Sequence, residues 1–216
     1  MKVIVYGSRA DGHAKVVIEV LAPHAGVEVI GLLDDYAENV ERTVCGMRVL
    51  GTKHDLRRLR SQGVEGVVLG FGAARGRGLA IAAVEEAGLS LPVLRHPRAH
   101  VARSATVGDG SQLLPGSIVG PGVRIDRGVL VNSGAIVEHD VQIEEGAVID
   151  PGAVLAGRCA VGAESEIGTG AVLLPDVVVG PRAIVGAGAV VTRPVAPDTV
   201  AIGIPARARA RSTSGS

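Results

Sequence analysis

Residues 135–155 read Ala135-Ile136-Val137-Glu138-His139-Asp140-Val141-Gln142-Ile143-Glu144-Glu145-Gly146-Ala147-Val148-Ile149-Asp150-Pro151-Gly152-Ala153-Val154-Leu155, with Val137, Ile143, Ile149 and Leu155 six apart. The spacing continues in both directions without a miss. Upstream it takes in Val101, Val107, Leu113, Val119, Ile125 and Val131, and downstream Val161, Ile167, Leu173, Val179, Val185 and Val191. Two residues before each member stands a small residue or a valine, as at Ala99, Ser111, Ala135, Ala147, Ala153, Cys159 and Ala189. Gly, Pro and Asp gather between. A period of six with one long and one small inward residue is the signature of a β-helix. Three hexapeptides close one triangular coil, and about five such coils stack at roughly 4.8 Å each.

The composition agrees with so narrow a prism. Hydrophobic residues make up 47% of the 216, yet there is no Trp, and Tyr6, Tyr36 and Phe71 are the only aromatics. All three precede the repeat, so its interior is filled by aliphatic ladders. Lys+Arg 22 balance Asp+Glu 22, which argues against a general nucleic-acid binder. The scarcity of rings also removes base-stacking platforms. Cys45 and Cys159 make neither a disulfide framework nor a metal motif. The start, Met1-Lys2-Val3-Ile4-Val5-Tyr6-Gly7-Ser8, has no long apolar core of a signal peptide and reads as a strand. No apolar run reaches the roughly 18 residues of a spanning helix. The expectation is a soluble, cytoplasmic protein of one or two domains, without nucleic acid, membrane or metal as partner.

Before the repeat the pattern alternates. Val3–Tyr6, Val27–Leu33 and Glu65–Gly70 read as strands, with helices from His13, from Asp55 and over residues 75–87. Val49-Leu50-Gly51 reads as turn-like and Pro92-Val93-Leu94 as a last short strand. Alternating strands and helices predict a parallel, doubly wound sheet. Ligands of such sheets sit beyond the carboxyl ends of the strands. There the segment Gly7–His13, the pair Asp34-Asp35 and Gly70 gather. A Gly-rich turn at a helix N-terminus offers N–H groups to an anion, and an acid closing the second strand accepts from ribose hydroxyls. Gly7-x4-Gly12 is not the dinucleotide fingerprint, so a tight turn that merely packs helix on sheet stays equally open.

Together these motifs resemble a known family. Gly12-His13-Ala14-Lys15-Val16-Val17, Leu33-Asp34-Asp35, His96-Pro97, Asn132–Asp140, Ala156-Gly157, Gly186–Thr192 and Gly203-Ile204-Pro205-Ala206 are similar, over almost the full length, to the hexapeptide sugar O-/N-acyltransferases, including the nucleotide-linked 4-amino-sugar N-acetyltransferases. The resemblance implies an N-terminal Rossmann-like α/β parallel-sheet domain (residues 1–95), a C-terminal left-handed parallel β-helix (96–195) and a C-terminal segment (196–216). It also implies acetyl-CoA as co-substrate, a nucleotide-linked amino sugar as acceptor, and a homotrimer with the active site between adjacent prisms.

N-acetylation by a thioester needs a base for the amine proton and a donor for the oxygen that becomes charged. His139 lies two past the inward Val137, so its side chain leaves the prism. Glu138 and Asp140 flank it, and either can hold the imidazole in one tautomer; the family pattern favours Asp140. Without the motif, an exposed surface histidine would be the plainer reading. Residues 18 apart share a corner in neighbouring coils, which gives the column Pro121, His139, Gly157, Pro175. Gly157, one coil from His139, is the expected oxyanion donor; a mere turn glycine is the alternative.

The resemblance places the coenzyme near Gly157, Thr169, Gly186 and Ala187. Val148 is included with a departure, because the family often has a coenzyme-contacting histidine there, nine residues beyond the base. For the sugar nucleotide it implies Asp11, Gly12, His13, Asp34, Asp35, Gly70 and Arg75. The Gly7–His13 turn is two residues longer than usual, and the inserted Arg9 is in reach of a phosphate. Arg207, Arg209 and Arg211 read as a solvated tail. The alternative chemistry is O-acetylation of a sugar or sialic acid on the same scaffold. A β-helix carbonic anhydrase needs three convergent histidines, and His96, His100 and His139 do not share a column. A structural or ice-binding prism needs a Thr or Asn ladder that the sequence lacks.

Overall fold

The structure is a computed structural model of the whole chain and describes residues 1–8 and 12–209. The chain divides into two compact units. One comprises Met1–Gly72 with Gly76–Leu94, the other Ala73–Arg75 with the chain from Arg95 onward.

The first unit runs β1 (Lys2–Tyr6), α1 (Ala14–Leu21), β2 (Glu28–Leu33), β3 (Thr43–Val44), β4 (Met47–Gly51), α2 (Leu56–Ser61), β5 (Gly66–Leu69) and α3 (Arg77–Glu86). Its sheet has the order β3-β4-β2-β1-β5, parallel except for the β3–β4 pair. Val3, Ile4 and Val5 are all fully buried. Successive side chains of a strand point to opposite faces, so both faces of the sheet are covered. Ile4, Tyr6, Leu33, Leu56, Leu59, Leu69, Ile81 and Val84 form one core, with α2 and α3 on that side. Helix α1 buries Ala14, Val17, Val20 and Leu21.

Two expectations change here. Val49-Leu50-Gly51 is no turn; it is the end of β4, paired with β2. The turn lies earlier, at Cys45-Gly46, where both φ angles are positive (51° and 75°). A two-residue loop of that kind closes a tight antiparallel hairpin. The strand expected at Pro92–Leu94 lies at Leu94–Arg95 and joins a sheet of the second unit.

The carboxyl ends of β1 and β5 meet backbone to backbone. A Cβ on Gly7 would lie 2.9 Å from the Gly70 carbonyl carbon, and one on Gly70 would lie 2.5 Å from Val5 Cγ1. Gly70→Ala therefore overpacks a closed site. It should lower unfolding stability by about 2–3 kcal/mol in denaturant titration, and a loss below about 0.5 kcal/mol would refute this packing role.

The second unit is a three-sided parallel β-helix of two-residue strands. The first face carries strands from His100–Val101 to Val190–Val191, and the second those from Thr106–Val107 to Val178–Val179. The third carries those from Leu94–Arg95 through Ile184–Val185 and ends on Val200–Ile202 and Arg207–Arg209. Register follows the eighteen-residue coil, as in Ile136↔Val154 and Val137↔Leu155. The six-residue ladder points inward throughout, and only Val101 and Val107, in the first coil, are less than fully buried. Arg207–Arg209 pairs antiparallel with Val200–Ile202. Arg207 and Arg209 thus belong to an edge strand rather than a loose tail, because the last coil leaves unpaired backbone groups for a strand to satisfy. Arg211 lies outside the described residues.

Candidate active site

From residue 110 to residue 188, every sixth residue adopts a left-handed conformation. Most of these positions are glycine, but Asp140, Arg158 and Asp176 occupy successive coils at the corner between the first and second faces (φ 59°, 63° and 63°). An L-residue there costs about 1 kcal/mol relative to glycine. The conformation aims Asp140 back at its neighbour, and its Oδ2 lies 2.9 Å from His139 Nδ1. With Nδ1–H donating to the carboxylate, the lone pair sits on Nε2.

Nε2 faces Gly157. A Cβ on Gly157 would fall within contact of Nε2 and 2.6 Å from Cε1, so the ring occupies the space that a side chain would need. The predicted column is thus physically formed. The Gly157 N–H has no hydrogen-bond acceptor among the described residues. Its column neighbours Pro121 and Pro175 have no N–H at all, so the coil makes no use of a donor here. Gly157 thus carries a free N–H in the residue that the His139 ring packs against. Buried Cys159, two residues on, has its thiol pushed up by burial and donates to Leu174 O at 3.2 Å.

Apart from Gly157, the residues expected at the coenzyme lie elsewhere on the prism. Thr169, Gly186 and Ala187 share the corner between the third and first faces; Thr169 and Ala187 are exposed, and the Gly188 N–H donates to Thr169 O at 2.8 Å. Val148 does not join them. It is fully buried in register with Leu130, which is also fully buried, and presents no surface to a ligand. The same corner holds a carboxyl that the sequence reading passed over. Asp150 is pushed up to about 6 by burial and then by the Glu166 charge, against a hydrogen bond from Asn132. Among the described residues, no group of three or more His, Cys, Asp or Glu is placed to hold a metal ion.

In the sheet domain the expected residues gather at the strand ends but take unequal roles. Asp34 is only 6% exposed; it accepts from the Ser8 hydroxyl and, at 2.9 Å, from the Tyr36 N–H. Burial alone would raise its carboxyl, but the bonds from Ser8, Tyr36 and Asn39 and the Arg42 charge hold it below the usual aspartate range. Both of its oxygens are engaged by groups of the loop. Asp35 is exposed, accepts from the Tyr6 hydroxyl at 2.6 Å and lies 3.8 Å from Lys53 Nζ. Burial, then Asp35, push the Tyr6 phenol upward, so it remains a donor. Gly70 is buried against Gly7, which makes it a packing residue first. Gly12 and His13 are partly buried at the start of α1; Arg75, which belongs with the second unit, is exposed. Asp11 and Arg9 lie outside the described residues.

Residues 2–81 match the PglD N-terminal domain family, and residues 140–174 and 158–193 match the bacterial transferase hexapeptide (six repeats) family. One similar solved structure is a histidine-to-asparagine variant of perosamine N-acetyltransferase from Caulobacter crescentus, in complex with CoA and GDP-perosamine. It is 33% identical with a TM-score of 0.91, and 98% of each chain is covered. The chain belongs to the hexapeptide sugar acyltransferases. A second member, the acetyltransferase domain of PglB from Neisseria gonorrhoeae in complex with acetyl coenzyme A, is 34% identical with a TM-score of 0.85, covering 96% of this chain and 98% of that one. WeeI from Acinetobacter baumannii, 24% identical with a TM-score of 0.84 over 97% and 100% of the two chains, shares the fold. The curated proteins gave no match. A sheet domain followed by a left-handed parallel β-helix is the architecture of this family.

Proposed function

We propose that this acyltransferase moves the acetyl group of acetyl-CoA onto the amino group of a nucleotide-linked amino sugar. The observation that carries the reading is the His139–Asp140 pair, with Nε2 set against the side of Gly157 where a Cβ would stand, and with the Gly157 N–H unused by the coil. It is supported by the end-to-end likeness to an enzyme crystallised with CoA and GDP-perosamine, of which two similar structures are variants of a histidine.

Acetyl-CoA supplies an activated acyl carbon. As the sugar nitrogen attacks it, that nitrogen becomes cationic, and His139 Nε2 takes the proton. Asp140, bonded to Nδ1, holds the ring in that tautomer and supports the positive charge it gains. The Gly157 N–H donates to the oxygen that becomes negative. Collapse breaks the carbon–sulfur bond, and the proton on His139 passes to the departing sulfur. Asp35, Gly12 and His13, with Asp11 and Arg75, are our candidates for the sugar nucleotide; Thr169, Gly186 and Ala187 are those for the coenzyme. The setting proposed is the cytoplasm.

A homotrimer is part of the proposal. His139 and Gly157 stand on one corner of the prism, and Thr169, Gly186 and Ala187 on another, with the first face between them. A cleft between two copies sets one corner of each side by side. Sedimentation should therefore give three chains per particle, and an active monomer would contradict this. Rates measured with pairs of sugar nucleotides that differ only in amine against hydroxyl test the chemistry. Preference for the amine is expected, and preference for the hydroxyl would favour O-acetylation.

A further inference from the structure

Arg158 stands one coil beyond Asp140 and one coil short of Asp176, since 140, 158 and 176 are spaced by eighteen and share one left-handed position. The backbone positions of two aspartates thus lie one coil spacing, about 4.8 Å, to either side of Arg158. It engages only one as a fork: Arg158 Nε donates to Asp176 Oδ1 at 2.7 Å and Nη2 to Asp176 Oδ2 at 2.9 Å. Asp140 leans the other way. Its Oδ1 lies 2.5 Å from where a Cβ would stand on Gly122, one coil below, and its Oδ2 is on His139. Gly122 leaves the room and Asp176 removes the competitor.

We propose that Asp176 is a positioning residue: by holding Arg158 in a two-bonded fork, it keeps the guanidinium off Asp140 and leaves that carboxylate to His139. The inference rests on His139 as the base. Without the Asp176 carboxylate, Arg158 has one carboxylate left in its column, and a carboxylate shared with a guanidinium supports an imidazolium less. The Arg158 guanidinium is held above its ordinary value by the Asp176 hydrogen bond, then the Asp176 charge, with Asp140 contributing further. The other ionisable side chains at this corner are Glu138 beside His139, Cys159 two residues past Gly157 and, in the column of His139, Arg103 two coils below and Arg193 three coils above.

The test is Asp176→Asn alone and combined with Arg158→Ala, beside Asp198→Asn and His139→Ala. Asp198 forms the same fork with Arg182 (2.7 and 2.6 Å) at the corner between the second and third faces, away from His139. Asp176→Asn should lower kcat roughly three- to ten-fold with little change in KM. The acid limb of its pH–rate profile should move to lower pH, with melting temperature and particle mass preserved. Adding Arg158→Ala should restore most of the loss, and Asp198→Asn should behave as wild type. Wild-type kinetics in Asp176→Asn, no recovery in the double variant, or an equal loss in Asp198→Asn each overturns the positioning role. Should His139→Ala abolish turnover in that case, the base assignment stands and this inference alone fails. Full activity in His139→Ala would overturn both.

Discussion

Substituting alanine for His139 should cost roughly two to four orders of magnitude in kcat, the range that a positioned general base supplies. The amine loses its proton only after nitrogen has begun to bond to carbon, so no strong base is required, but one must stand within hydrogen-bond reach. Nε2 is the free nitrogen, because Nδ1 is committed to Asp140 at 2.9 Å. The imidazole is 47% exposed and lies outside the aliphatic core, so the change removes no core packing. Melting temperature, particle mass and CoA affinity should stay near wild type. Glutamine in place of histidine should be equally inactive, since it fills the space without offering a basic nitrogen. Single-turnover acetyl transfer read by mass spectrometry checks this, and a variant within ten-fold of wild type would remove His139 as the base.

The second large effect belongs to Gly157. Its φ is not in the left-handed region, so alanine meets no backbone penalty; the whole cost falls on the imidazole. The added methyl would overlap Nε2 and come within 2.6 Å of Cε1. The ring must swing away, losing the Asp140 bond or its aim, and the methyl also crowds the approach to the Gly157 N–H. Losing the aim of a base and access to an oxyanion donor together should lower kcat roughly 10²- to 10⁴-fold. Stability should change by less than about 1 kcal/mol. Gly170→Ala is the contrasting control: it has open space around a Cβ but a left-handed φ of 65°. It should lose about 1 kcal/mol of stability by thermal or denaturant unfolding, an effect of backbone strain rather than of contact with His139. An active Gly157→Ala enzyme would mean that the imidazole does not work where this structure places it.

The prism was legible in the sequence because its period is rigid. Every sixth side chain must enter a narrow interior, so the ladder from Val101 to Val191 announces itself, and the eighteen-residue coil brings Gly157 beside His139 by arithmetic alone. Less was legible where neighbours of the same type take opposite fates. Asp34 and Asp35 look alike in the chain, yet consecutive residues at a strand end face opposite ways, and one is buried under Ser8 while the other stays exposed. Gly70 looked like a ligand contact because it ends a strand; its partner in space, Gly7, is far off in sequence and shows only in the fold. Val148 holds an outward strand position, which periodicity assigns to solvent, and is nevertheless fully buried. The β3–β4 hairpin was missed because its Cys45-Gly46 turn lacks the usual Asn or Asp. Arg158 and Asp176 lie eighteen and thirty-six residues beyond Asp140, in the column next to that of His139, but which carboxylate the guanidinium takes is a matter of side-chain direction.

The site of the transferred acetyl group tests most directly whether this protein is a sugar N-acetyltransferase. The full-length protein is incubated with acetyl-CoA and a panel of GDP-, UDP- and dTDP-linked amino sugars, GDP-perosamine among them, and the products are fragmented by tandem mass spectrometry. One acetyl group is expected on the sugar nitrogen of at least one member, with one free CoA thiol released for each. Acetyl found only on oxygen, or CoA released with no acetylated sugar, would contradict it.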